Sequence, residues 1–112
     1  MDDKLKNALD FANYAHVLHN QKKLIKQKFI DNCVYYYNAG KFSITQDLIV
    51  YCLTYKQKTC ILLDDNNIPI QIDNLDGFTN EISQVYDNAK EQYFEEYKKL
   101  TSNKSVKGLL DE

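Results

Sequence analysis

The chain has 112 residues, 44% of them hydrophobic, and a formal net charge of −2. That length suits one ordinary domain with its own core, and no apolar run approaches the ~20 residues a membrane-spanning helix needs. All 14 basic residues are lysine, so arginine, the usual reader of guanine edges and clamp on phosphate, is absent. The net charge exerts no long-range pull on nucleic acid, so sequence-specific DNA or RNA recognition is not expected.

The spacing predicts a first long helix over residues 3–31. Leu5, Ala8, Ala12 and Ala15 sit at helical intervals. Phe11, Leu18 and Ile25 recur every seven residues, with Phe29 following. Asp2 or Asp3 suits its positive N-terminal end. The period then changes. Val34-Tyr35-Tyr36-Tyr37 is aromatic and β-branched, Asn38-Ala39-Gly40 is turn chemistry, and Lys41-Phe42-Ser43-Ile44 alternates. A β-hairpin with a loop of about three residues is expected.

Thr45 is a good cap for a short helix, Gln46 to Gln57, with Leu48, Ile49, Cys52 and Leu53 as its apolar positions. A second hairpin follows: Cys60-Ile61-Leu62-Leu63, a turn at Asp64-Asp65-Asn66-Asn67, then Ile68, Ile70 and Ile72 in alternation. Pro69 cannot donate to a ladder, which places its strand at an edge or start. Asp73 or Asp76 is the expected cap of a last helix, residues 75–102, with the stripe Phe78, Ile82, Val85, Ala89, Tyr93, Tyr97 and Leu100.

These elements predict an α+β fold: two long amphipathic helices packed with two β-hairpins and a short central helix, the hairpins joining in one four-stranded antiparallel sheet. Residues 1–102 form the domain and 103–112 a tail. The acidic Met1-Asp2-Asp3-Lys4 does not read as a signal peptide. The protein is therefore expected to stay where it is made, in the cytoplasm. Cys33, Cys52 and Cys60 form no CxxC pair and read as buried, reduced thiols.

Little in the chain points to catalysis. His16 and His19 share a helix face, as an HxxH metal pair would, but no paired ligands accompany them. The Asp64–Asn67 run lacks the glycine and closing glutamate of a calcium loop. With three glycines in all, no phosphate-cradling GxxxxGK[ST] or GxGxxG loop exists, and no GxSxG elbow. Glu95 and Glu96 are adjacent on a helix and point apart. Lys22, Lys23, Lys26 and Lys28 form a basic half-helix that Glu91, Glu95 and Glu96 can face. No enzyme activity, cofactor or metal is expected.

Contact chemistry is better represented. Three consecutive tyrosines in a strand place at least one ring away from the core, so Tyr35, Tyr36 and Tyr37 are candidate protein contacts. In the tail, Val106, Leu109 and Leu110 return at helical spacing after a polar linker, suited to docking on the domain or on a partner. Protein partners are expected, with homo-oligomerisation as one option, and no membrane.

Lys, Asn, Tyr, Ile and Phe dominate the composition, while Gly, Pro and Trp are scarce. These favoured residues are served by A- and T-rich codons, which suggests an AT-rich genome such as that of a bacteriophage or a small-genome bacterium. The opening Met1-Asp2-Asp3-Lys4-Leu5-Lys6-Asn7-Ala8-Leu9-Asp10-Phe11-Ala12-Asn13-Tyr14 resembles a small uncharacterised family of T4-like myoviruses infecting marine bacteria. So do Leu62-Leu63-Asp64-Asp65-Asn66-Asn67-Ile68-Pro69-Ile70 and Lys104-Ser105-Val106-Lys107. The resemblance implies an origin and no mechanism. Two functions follow as expectations: a non-enzymatic virion-assembly or accessory protein acting through helix contacts, or an interaction module that modulates replication or transcription machinery.

Overall fold

Two long helices lie antiparallel, and two hairpins with a short helix close one end of the pair. In chain order the elements are α1 (Asp3–Asn32), β1 (Val34–Tyr37), β2 (Gly40–Ser43), α2 (Gln46–Thr54), β3 (Cys60–Leu63), β4 (Pro69–Ile72) and α3 (Leu75–Thr101). The structure is a computed structural model and describes residues 3–101. Its longest dimension is 68 Å against 24 and 20 Å across. This is the α+β architecture expected of the sequence.

Helix α3 supplies the centre of the core. Leu75, Phe78, Ile82 and Ala89 are buried, at the helical intervals the sequence displays. Phe78 makes T-shaped contacts with three rings: Tyr35 at 5.7 Å, Tyr37 at 5.5 Å and Phe42 at 5.4 Å between centroids. Such pairs add roughly 0.5–1.5 kcal/mol each beyond the area they bury. Ile44, Cys52, Cys60, Leu62, Ile70 and Ile72 close the cluster from the hairpins and α2. The stripe fades toward the C-terminal end of α3, where Tyr97 is exposed.

Asn74, rather than Asp73 or Asp76, caps α3: its Oδ1 accepts the Gly77 amide at 3.1 Å. Either carboxylate could have served, but Asn74 is the residue that directly precedes Leu75, where the cap must sit. Thr45 caps α2 as expected, accepting the Leu48 amide at 3.2 Å. That helix ends at Thr54, three residues short of Gln57. Tyr55 turns extended and packs half-buried against the core, and the chain must cross from there to β3.

The first hairpin turns on two residues rather than about three. Asn38 and Ala39 have φ of 47° and 67°, the pair of positive values that matches the twist of the flanking strands. Gly40 belongs to β2, and its role is a close approach: a Cβ there would stand 2.8 Å from Ile70 Cγ1.

The hairpins do not merge into the expected four-stranded sheet. β1 pairs only with β2, and β3 only with β4, both antiparallel. They meet turn against edge instead. The Asp65 amide donates to the Lys41 carbonyl at 2.8 Å, and the Asn38 side chain donates to the Gln71 carbonyl at 3.3 Å. Each turn thus occupies the strand edge that a wider sheet would have used.

Candidate functional site

Alternation along β1 decides where the tyrosines go. Tyr35 and Tyr37 are half-buried with their rings on Phe78, while Tyr36 is 69% exposed. Burial raises the Tyr35 phenol above its ordinary value, and the Glu81 carboxylate adds to the shift. Of the three, Tyr36 is the ring left exposed to solvent. Val106, Leu109 and Leu110 lie outside the described residues.

Helix α1 is the more unusual surface. It buries no residue fully. Its half-buried positions are Tyr14, Leu18, Lys22, Ile25 and Phe29, a helical stripe. At the hairpin end this stripe meets α3. Phe29 stacks on Tyr93 at 5.1 Å and meets Tyr86 edge-on at 5.8 Å. Lys28 Nζ reaches Glu96 Oε1 at 2.7 Å, and the Lys22 ammonium lies 5.5 Å from the Tyr97 ring centre. Part of the basic half-helix therefore faces α3, as the charge pattern suggests. The hydrogen bonds from Lys28 and Gln92 hold the Glu96 carboxyl below its ordinary value.

Near its last described turn, α3 lies beside Gln21, Leu24 and Ile25. The part of α1 before Gln21 runs past the described end of α3 by about 27 Å at 1.5 Å per residue. Leu5, Leu9, Phe11 and Val17 on this extension are each about half exposed, and Leu24 is 69% exposed. At 3.6 residues per turn they occupy several sides of the helix. Leu5 and Leu9 share one side and Val17 and Leu24 another, while Phe11 continues the stripe of Leu18, Ile25 and Phe29.

Other groups are committed to structure. Asp64 Oδ1 accepts the Asn66 and Ile68 amides at 2.9 and 2.8 Å, building the turn. Cys33, Cys52 and Cys60 are free and buried, and burial pushes each thiol up. His16 accepts from the Asn20 amide at 3.3 Å. Among the described residues no cluster of His, Cys, Asp or Glu could hold a metal, and no helix is long and apolar enough to cross a membrane. An open groove of about 340 Å³ runs between the end of α1, β2 and the start of α2, lined by Phe29, Cys33, Ile44 and Tyr86. Two of its polar residues are engaged, Ser43 with Asp65 and Thr45 as a helix cap.

The sequence pattern did not mark every exposed apolar residue. Cys60-Ile61-Leu62-Leu63 reads as a uniform apolar run, yet Ile61 and Leu63 face outward at 67% and 61% exposure. Phe94 is 63% exposed beside Lys90, Tyr93 and Tyr97. Only the face that α3 presents to the core could have separated these from their buried neighbours. No protein-family model matches the chain, and no curated protein or solved structure is significantly similar to it.

Proposed function

We propose that this is a non-enzymatic phage protein that works in virion assembly, or as an accessory structural protein, through helix-mediated contacts made by α1. The observation that carries the reading is the N-terminal extension of α1. A surface helix usually confines its apolar residues to one stripe; a helix apolar on several sides is usually enclosed. Leu5, Leu9, Phe11, Val17 and Leu24 are exposed on several sides of a helix that buries no residue fully. Enclosure by partner helices would remove that surface from water at about 25 cal/mol per Å². The A/T-biased composition supports the phage assignment.

The test is a photo-crosslinking amino acid in place of Phe11 in phage-infected cells, with the crosslinked protein identified by mass spectrometry. The expected product joins this chain to a virion structural or assembly protein. A product with replication or transcription enzymes favours the interaction-module reading instead, in which Tyr36 is the natural second contact. Absence of any crosslink at Phe11, Leu9 and Val17 alike overturns both.

A further inference from the structure

The half-buried stripe of α1 runs further than the helix that covers it. The described part of α3 ends at Thr101, beside Gln21, Leu24 and Ile25. Tyr14 lies about 10 Å further along α1, at 1.5 Å per residue. It is half-buried all the same, and its hydroxyl oxygen is shielded from water with no hydrogen-bond partner among the described residues. Val17, on another side of the helix, is 51% exposed. Cover at this level is therefore specific to the stripe. Neighbours on one helix flank a ring but leave its tip open. Side chains also lean toward the helix N-terminus, which carries this ring further from α3.

We infer that residues 102–112 supply this cover: they run on past α3 along α1 of the same chain, seating Val106 on Leu18 and Leu110 on Tyr14. The register of the two helices leads there. Asn32 bonds Gln92 and Lys28 bonds Glu96, so a step of four down α1 meets a step of four up α3. Continued at the same pace, the register sets Val106 level with Leu18 and Leu110 level with Tyr14. Val106 and Leu110 are four apart, as are the two residues they meet, so both pairs close on one face together.

The linker has a part in this. Six residues of unbroken helix would carry Val106 about 120° round from Leu100, away from α1. Ser102-Asn103-Lys104-Ser105 holds two serines and an asparagine, residues that favour turns over helix interiors. The chain can turn there and bring its apolar side back to the stripe. A segment this short gains little from helix formation alone, and Gly108 lowers that gain further, so contact with α1 is what orders it. The docked backbone also offers carbonyls to the Tyr14 hydroxyl. Phe11 and Leu9, 52% and 45% exposed, lie beyond this contact, and the partner surface proposed for α1 does not depend on it.

A benzophenone amino acid in place of Leu18 tests this in the purified full chain, mixed from unlabelled and heavy-nitrogen-labelled protein. Irradiation should join position 18 to the peptides that carry Val106 or Leu110, with both halves of each product bearing the same isotope. Leu110→Asp should abolish that product, keep the circular dichroism spectrum and lower the melting temperature by several degrees. Tyr14→Ala should lower it too, and the two changes together should cost less than their sum, because they remove one contact. Products that pair unlabelled with labelled chains put the tail of a second copy on the stripe and overturn the proposal. So do crosslinks confined to other segments, the absence of any product, a product that survives Leu110→Asp, and losses that simply add. None of these outcomes bears on crosslinks from Leu9 or Phe11 in infected cells, so the function assigned to α1 stands or falls separately.

Discussion

Asp65 grips Ser43 with both carboxylate oxygens: Oδ1 accepts the Ser43 amide at 2.9 Å and Oδ2 the Ser43 hydroxyl at 2.7 Å. The turn of one hairpin thereby closes the end of the other. Charge-assisted bonds of this kind are shorter and stronger than neutral ones. Asp65→Ala should destabilise the fold by about 1–3 kcal/mol, because the Ser43 amide loses its protein partner. Ser43→Ala removes only the hydroxyl bond and should cost less. Urea unfolding measures both. If Asp65→Ala leaves the midpoint unmoved, water replaces the clamp without loss and it does not unite the hairpins.

The first turn stores strain. Ala39 sits at φ 67°, where its Cβ crowds the following carbonyl. Ala39→Gly should stabilise the protein by up to about 1 kcal/mol, reduced by the greater freedom glycine has when unfolded. Its neighbour behaves oppositely. Gly40→Ala drives a methyl against Ile70 Cγ1 at 2.8 Å and should cost roughly 1–3 kcal/mol. The paired melting temperatures should move in opposite directions; a rise for both would contradict the close approach.

Ile82 is fully buried on α3, at 0% exposure. Ile82→Ala should cost about 2–5 kcal/mol, the range for removing a buried branched side chain from a packed core. An unchanged melting temperature would show that the stripe does not form the core.

Contact between the helices should depend on pH. The Glu96 carboxyl is held below its ordinary value chiefly by hydrogen bonds from Lys28 and Gln92. A depressed folded-state value stabilises above the unfolded value and loses that contribution as pH falls through the folded one. Unfolding curves should therefore show lower stability as pH drops from neutrality to about 3, and Glu96→Gln should flatten part of that slope. The effect should shrink in high salt, since the pair is largely solvated. An identical slope in the variant would show that other carboxylates account for all of it.

The kind and order of every described element were legible because each rests on neighbours in the chain. Helical spacing in α3, Thr45 as a cap, turn residues at Asn38 and Asp64–Asn67, and alternation through Ile70 and Ile72 all act within a few residues. The same local rules required at least one outward ring among the three tyrosines, but they could not say which. Nor could they show that the hairpins would stay apart. β-Ladder formation between distant strands depends on which edges remain free after side chains and turns have bonded, and here Asp65 and Asn38 reach those edges first. Tyr36 faces outward because Phe78 takes the rings on either side of it. Ile61 and Leu63 face outward because Cys60 and Leu62, on the opposite side of β3, join the core cluster. The unburied length of α1 has the same kind of cause. Its stripe is written in the sequence, but the extent of cover on that stripe depends on where α3 docks, and Lys28, Phe29 and Glu96 settle that across a separation of more than sixty residues.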